Sequence, residues 1–234
     1  MAVEADVISG AQKLRAGAVS QLLQSEAASV YRIAYALSGR WDVGRGIARF
    51  VLNRSVRMMP KWKPEDDPDN WYHRFTIQTS RRAARHRATA EKDVLVEQAL
   101  RPSPEYIAFV SALRQLEAQQ REAFLLRHGE KLNARYTALA MDCSTQAAEN
   151  HLKAAESSLK LVAAANYEPL LRRLVDAYEH LTPDEKQLVP SVSKVVFRQV
   201  RLRKFFRFLA TLVALAFAIA MGWAGWKVYH FLQG

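Results

Sequence analysis

One stretch of the chain concentrates side chains that could bind phosphate groups. Between residues 71 and 89 there is no Asp or Glu, and Arg guanidinium groups bind phosphate through paired hydrogen bonds. The chain as a whole carries a formal net charge of +11, which indicates an anionic partner, either nucleic acid or an anionic lipid surface. The same arginines could instead form only a solvated helix face. The residues of this basic helix that could contact nucleic acid are Arg74, Gln78, Arg81, Arg82 and Arg85.

A second polar set lies on one face of a helix predicted from Ser144 to about Leu161. Ser144 is a favourable N-cap, and alanines and leucines recur on the opposite face at helical spacing. A short helix and a turn precede it, which is the layout of a helix-turn-helix whose second helix enters the DNA major groove. Any pair of antiparallel helices in a bundle gives the same pattern, so spacing alone leaves both interpretations open. The polar residues of this predicted recognition helix are Thr145, Gln146, Glu149, Asn150 and Lys153.

No pattern in the chain favours catalysis. No two of the six histidines stand at the i, i+4 spacing of a helical two-histidine metal site. The single cysteine, Cys143, excludes an intrachain disulfide and a cysteine-based zinc site. We therefore expect a protein that is not an enzyme and that uses neither a metal nor a cofactor.

The elements that position these residues are predicted to be helices throughout, which gives an all-α fold. Apolar residues recur at helical spacing over residues 21–37, 42–58 and 71–89, and Asp42 could cap the second of these helices. Gly129 could end a later helix as a left-handed cap. The predicted organisation is a three-helix domain (1–90), a linker (91–105), a helix-turn-helix domain (106–163) and a helical spacer with a basic end (164–207).

Residues 208–226 form an uncharged apolar run that is long enough to cross a bilayer. More basic residues precede this run than follow it, so the positive-inside rule predicts a single-pass protein of the cytoplasmic (inner) membrane. The N-terminal bulk would lie in the cytoplasm, with a short tail (227–234) on the far side. Small residues recur every four positions and could pair the helix with a second copy or with another membrane protein: Ala210, Ala214, Ala218 and Gly222.

The order of these segments resembles the extracytoplasmic-function (ECF) class of bacterial RNA polymerase sigma factors. Residues 111–160 resemble the fourth conserved region of that family, in which Leu116, the Gln120-Arg121-Glu122 run and Ser144 stand where its pattern expects them. Residues 30–42 and 71–87 resemble two parts of the second region. The resemblance implies a protein that directs core RNA polymerase to promoter DNA. The second region would dock on the polymerase and help to open DNA, and the fourth would read the upstream promoter element.

The resemblance also implies a docking surface near the start of the second helix, where the family usually has an acidic stretch. Here the sequence is Asp42-Val43-Gly44-Arg45, with Arg49 one turn later. Two other functions stay open. One is a membrane-tethered DNA-binding regulator that no longer docks on polymerase. The other is a helical adaptor that binds anionic lipid and a protein partner.

Overall fold

The computed structural model describes residues 5–63, 67–83, 92–183 and 192–233. Every regular element within those ranges is a helix, so the predicted all-α fold is confirmed. The first domain contains α1 (Ala5–Gln12), α2 (Ala16–Ser38), α3 (Trp41–Met58) and α4 (Pro68–Ala83). The short helix α5 (Val94–Gln98) leads to the second domain, which contains α6 (Pro104–Gln115), α7 (Ala118–Phe124), α8 (Ala134–Met141) and α9 (Thr145–Ala163). The chain continues in α10 (Tyr167–Glu179) and α11 (Leu202–Gln233).

The first domain is built around α2, which packs against α1, α3 and α4. Three helices were expected here, and α1 is a fourth. Helix α2 ends at Gly39, whose φ of 71° suits a residue without a side chain and whose N–H bonds the Tyr35 carbonyl at 2.9 Å. The prediction that Asp42 caps α3 is wrong, because the helix already begins at Trp41 and Asp42 instead accepts hydrogen bonds from Arg40.

Residues 93–99, within the predicted linker, pack against the core. Asp93 caps α5 by accepting a hydrogen bond from the Leu95 N–H at 3.0 Å, and Val94, Leu95 and Val96 are buried. The Tyr106 hydroxyl of α6 donates to the Leu95 carbonyl at 3.1 Å. The linker therefore fixes the second domain against the first.

A buried ion pair joins the linker to both domains. The Arg114 guanidinium of α6 donates to the Asp93 carboxylate at 2.5 and 2.9 Å and to the Ala36 carbonyl of α2 at 2.5 Å. The Asp93 side chain is fully buried, and that of Arg114 is 10% exposed. A β-carbon on Gly39 would lie 2.7 Å from the Asp93 carboxylate, so the glycine at this position leaves room for the ion pair.

The second domain has the turn geometry of a helix-turn-helix. Helix α8 ends at Asp142, which adopts a left-handed conformation with φ 60° and ψ 47°. Ser144 then caps α9 by accepting a hydrogen bond from the Ala147 N–H at 3.2 Å. The prediction of a left-handed cap at Gly129 is wrong, because Gly129 ends a π-helical turn, Leu125–Gly129, and is not among the residues with positive φ. Glycine fits at this position for a different reason, because a β-carbon there would lie 2.8 Å from the Tyr178 ring.

The C-terminal helix is long, apolar and exposed. Residues 192–201, which we name the connecting helix, are α-helical to residue 196 and π-helical over Phe197–Arg201, and they run directly into α11. Residues Phe205–Trp223 have a mean hydropathy of 2.0, and none of this stretch is buried against the protein. The apolar stretch overlaps the predicted 208–226 segment and begins three residues earlier.

Replacing Asp93 with Ala should lower the free energy of unfolding by about 3–5 kcal/mol, because it leaves the Arg114 charge buried without its partner. The measurement is chemical denaturation of the full chain in uncharged detergent micelles. The matched control is Asp42→Ala, which removes an exposed carboxylate from its pair with Arg40 and should leave the denaturation midpoint unchanged. Equal effects of the two substitutions would show that the buried pair contributes no more than a surface pair.

The stability of the first domain should also depend on pH through Glu26. Glu26 of α2 is buried, and burial, followed by the neighbouring Asp69 carboxylate, raises its pKa to about 8 from the ordinary 4.5. The folded protein then holds this proton more tightly than the unfolded chain. The unfolding free energy should therefore fall as pH rises from about 4.5 to about 8, by at most ~1.4 kcal/mol per pH unit.

The interval from pH 6.5 to 8 isolates this contribution. Burial lowers the pKa of His73 below the ordinary 6.5, so the opposite effect of His73, a loss of stability in acid, is confined to lower pH. In Glu26→Gln the decline between pH 6.5 and 8 should disappear. Parallel pH profiles of the two proteins would contradict the assignment.

Candidate nucleic-acid interface

Helix α4 carries the predicted basic residues, and the structure divides them between two faces. Arg81 faces the second domain and donates to the Glu122 carboxylate of α7 at 2.9 and 2.6 Å and to the Met141 carbonyl at 3.2 Å. Arg74 pairs with Asp142 at the turn of the helix-turn-helix, at 2.8 Å. Two of the residues predicted to bind DNA are thus engaged within the protein.

The outer face of α4 is more open. Arg82 is exposed and Gln78 half-buried, and Trp71 and Phe75 lie on the same side at helical spacing. The Trp71 and Phe75 rings stack at 4.9 Å, and Phe50 of α3, 53% exposed, stacks on Phe75 at 6.1 Å. This aromatic ladder could stack on unpaired bases. Arg85, the remaining predicted residue, lies outside the described residues.

Apolar packing closes the contact between the two domains beside these ion pairs. Ile33 of α2 and Ile77 of α4 share a buried cluster with residues of α7, α8 and α9, including Met141. Helix α4 packs directly against α8. The basic helix is therefore a central part of the interdomain contact.

A buried carboxylate, Glu130, links the second domain to two other parts of the chain. It accepts hydrogen bonds from the α2 residues Ser29 at 2.9 Å and Arg32 at 2.9 and 3.2 Å. It also accepts from the Tyr178 hydroxyl of α10 at 2.9 Å. Burial and the adjacent Glu130 carboxylate raise the pKa of Tyr178 well above its ordinary value, so the phenol stays a donor. Helix α10 thereby helps to hold the domains together.

The recognition helix α9 keeps its predicted polar face open. Ala148, Ala155 and Leu159 are buried on its inner side. On the outer side Gln146 donates to Asn150 at 3.0 Å, which orients two amides that could contact base edges. Of the five predicted residues, Glu149 is half-buried and the others are exposed: Thr145, Gln146, Asn150 and Lys153.

The predicted polymerase-docking residues lie on the surface of α3. Asp42, Arg45 and Arg49 are all exposed, and Asp42 is paired with Arg40 at 2.8 Å. The connecting helix contacts α3, and the side chains of Lys194 and Arg198 line a cavity together with Arg45 and Arg49. Part of the predicted docking surface is thus covered by the C-terminal segment.

Within the described ranges no group of His, Cys, Asp and Glu is arranged to hold a metal ion.

The small residues predicted to pair membrane helices lie exposed on α11, and pairing through them stays a prediction: Ala210, Ala214, Ala218 and Gly222.

Sequence reasoning missed the residues that close this interface. Glu122, Glu130 and Tyr178 have no distinctive spacing, since Glu130 lies about a hundred residues from Arg32 and 48 from Tyr178. The available local signal was two acidic residues, Glu122 and Glu130, on either side of the apolar run at 123–126. Buried acids require partners, but sequence alone does not identify them.

Comparison with known proteins identifies the fold. No protein-family model matches the chain, and no curated protein matches it in sequence. The structure of CnrH in complex with the cytosolic domain of CnrY is similar, with a TM-score of 0.57, 16% identity, and coverage of 69% of this chain and 97% of that chain. The complex of the sigma factor RpoE with the anti-sigma factor NepR from Bartonella quintana gives a TM-score of 0.50 and 16% identity, covering 62% of this chain and 96% of that chain. At this identity the similarity shows the fold alone, which is ECF sigma-like.

Two adjacent arginines of α4 should contribute unequally to the stability of the fold. Arg81→Ala leaves the Glu122 carboxylate, whose side chain is 3% exposed, without its bidentate partner and should lower the free energy of unfolding by about 2 kcal/mol. The neighbouring substitution Arg82→Ala removes an equal charge from an exposed position and should leave stability unchanged. Denaturation of both variants in detergent micelles tests the difference, and equal effects would contradict the structural role of Arg81.

Proposed function

We propose that the chain is a sigma-like transcription factor that binds core RNA polymerase and promoter DNA and is anchored in the cytoplasmic membrane by α11. The observation that carries the proposal is the helix-turn-helix on an ECF sigma-like fold. In it, the Ser144-capped helix α9 presents Gln146, Asn150 and Lys153 to solvent. Amides can read adenine and Lys can bind phosphate. In this function the protein performs no chemistry of its own.

The closed contact between the domains adds a regulatory requirement. Arg74 and Arg81 are held by acids of the second domain, so these two arginines can bind DNA only if the domains separate. Both structural neighbours were solved with a partner protein. In this chain α10 itself contacts α2, α5 and α9. We therefore expect α10 to stabilise the closed form and a protein partner, polymerase or another, to favour the open one.

The membrane part of the proposal is supported by the exposed apolar surface of α11. Phenylalanines, leucines and other large apolar side chains lie exposed along Phe205–Trp223, and a soluble protein rarely exposes so large a continuous apolar patch. The basic residues Arg198 and Arg201 precede this stretch, which favours a cytoplasmic N-terminal bulk.

The full chain, reconstituted in phosphatidylcholine nanodiscs, should bind core RNA polymerase and, in that complex, promoter DNA. The full chain is used because a truncation to residues 1–165 would remove Leu174 and Tyr178 from the buried core. If the chain binds DNA but not polymerase, the tethered regulator is correct. If it binds anionic vesicles but neither polymerase nor DNA, the lipid-binding adaptor is correct.

Replacing Lys153 with Ala tests the orientation of α9 on DNA. Loss of one phosphate contact should lower the slope of log K against log salt by about 0.9. The matched control Lys131→Ala removes a lysine that Glu179 already neutralises at 2.7 Å, and its slope should equal that of the unmodified protein. Fluorescence anisotropy with labelled duplex over a salt series measures the slope. An unchanged slope for Lys153→Ala would place α9 away from the DNA backbone.

A further inference from the structure

A cavity of about 260 Å³ lies between the first domain and the connecting helix. Among the described residues, four basic side chains and no acidic side chain line it: Arg45, Arg49, Lys194 and Arg198. The cavity floor contains Tyr31, Tyr35 and Leu52, which are almost fully buried. Neither the predicted docking surface nor the DNA-binding surfaces account for this arrangement.

Among the described residues, packing rather than carboxylates brings the four cations together. Within the described ranges, no salt bridge involves any of the four. The connecting helix is held by buried valines that belong to the main core, Val192, Val195, Val196 and Val200. Lys194 and Arg198 are one helical turn apart, as are Arg45 and Arg49 on α3, so two basic pairs face one cavity.

This grouping of like charges favours the binding of an anion among the cations. Like charges at such positions repel one another, and bound anions with several oxygens relieve the repulsion through charge-assisted hydrogen bonds. The Tyr31 and Tyr35 hydroxyls and the Asn53 amide supply further polar groups around the same cavity. Arg45 also interacts with the Tyr35 hydroxyl, which places one guanidinium at the cavity floor.

The cavity size restricts the ligand. Pockets for drug-sized molecules usually measure ~300–1,000 Å³, and this cavity lies just below that range. It is large enough for a phosphate, a pyrophosphate or a single phosphodiester group.

We propose that this cavity binds a phosphate-bearing anion, and that the bound anion holds the connecting helix against α3. The anion joins Arg45 and Arg49 of the first domain to Lys194 and Arg198 of the connecting helix. Occupancy consequently keeps part of the predicted docking surface covered. Phosphate binding itself does not depend on the proposed transcriptional function.

Two sources could supply this phosphate chemistry. Arg198 lies seven residues before Phe205, the first residue of the apolar stretch, or about 10 Å along a helix axis. If α11 crosses a bilayer, as proposed above, that distance places the cavity near the lipid headgroups. The anion is then the phosphate of an anionic lipid. A soluble phosphate compound has the same recognition chemistry.

The first arm of the test uses inorganic phosphate and pyrophosphate. The full chain in phosphatidylcholine nanodiscs is titrated with each by calorimetry. Arg49→Gln and Arg198→Gln should each weaken binding by roughly ten- to a hundredfold, which is the usual contribution of hydrogen bonds to a charged group. The matched control is Arg54→Gln, which removes an exposed charge from α3. Arg54 lies nine residues from Arg45, on the opposite side of the helix, and its replacement should leave binding unchanged.

The second arm tests lipid as the source. Amide hydrogen exchange of residues 45–53 and 192–201 is compared between nanodiscs of phosphatidylcholine alone and nanodiscs that also contain phosphatidylglycerol. A lipid ligand should slow exchange in both segments only when phosphatidylglycerol is present. Arg49→Gln and Arg198→Gln should abolish that difference, and Arg54→Gln should preserve it.

The outcomes separate cleanly. Binding in the first arm, or protection in the second, supports the site if it is lost in Arg49→Gln and Arg198→Gln and kept in Arg54→Gln. The absence of both binding and protection would overturn the site. Equal loss in all three variants would also overturn it, because that result indicates non-specific attraction to positive charge. Asp184 and Glu185 follow Pro183 in the sequence. Binding seen only after their replacement by Asn and Gln would also overturn it, because the chain would then supply the anion.

None of these measurements contains DNA or polymerase. A negative result for the anion site therefore does not contradict the proposed transcriptional function. A negative result for that function likewise does not contradict phosphate binding.

Discussion

The closed arrangement of this protein depends on the buried carboxylate of Glu130. A buried charge is tolerated only when it is paired and hydrogen-bonded, and the donors to Glu130 come from two distant helices, Arg32 and Ser29 on α2 and Tyr178 on α10. The first domain, the second domain and the C-terminal segment must therefore take one relative position for this group to be satisfied. The adjacent Gly129 enforces the same position, since only a residue without a side chain leaves room for the Tyr178 ring. Apolar packing supplies attraction between the domains, and the polar network determines their alignment.

That alignment decides which basic residues are available to a partner. Arg81 and Arg82 are neighbours in the sequence, but successive residues on a helix point about 100° apart. Arg81 consequently reaches Glu122, while Arg82 points to solvent. The ion pairs and the apolar cluster at the interface would all be lost on opening. A partner that opens the molecule must replace these contacts with its own, because a ligand shifts a conformational equilibrium only by its difference in affinity for the two states.

The sequence predicted well the features that have local causes. The Ser144 cap and the apolar face of α9 each depend on residues within one or two helical turns, and both are present. The ion pairs that hold the domains together could not be predicted from the sequence. No periodic pattern links Asp93 to Arg114 or Glu130 to Arg32. Gly129 shows the same limit. A glycine at the end of a helix usually adopts a left-handed conformation, and the reason for this exception is a tyrosine 49 positions away. The polar face of α9 is exposed as predicted, whereas two arginines of the predicted basic helix, Arg74 and Arg81, pair with acidic residues of the second domain.

The C-terminal helix connects the covered surface of α3 to the apolar stretch without an intervening break. The described residues 192–233 are continuously helical, so a displacement of α11 is transmitted to Lys194 and Arg198. The one irregularity is the π-helical turn at Phe197–Arg201, and such turns concentrate at functional positions in helices. Because Arg45 and Arg49 belong to the first domain, an anion that binds all four side chains is sensitive to the distance between that domain and α11. Thermodynamic linkage makes the effect reciprocal. If polymerase docks on α3 as proposed, an anion that holds the connecting helix against α3 opposes that docking, and polymerase binding there weakens anion binding by the same factor.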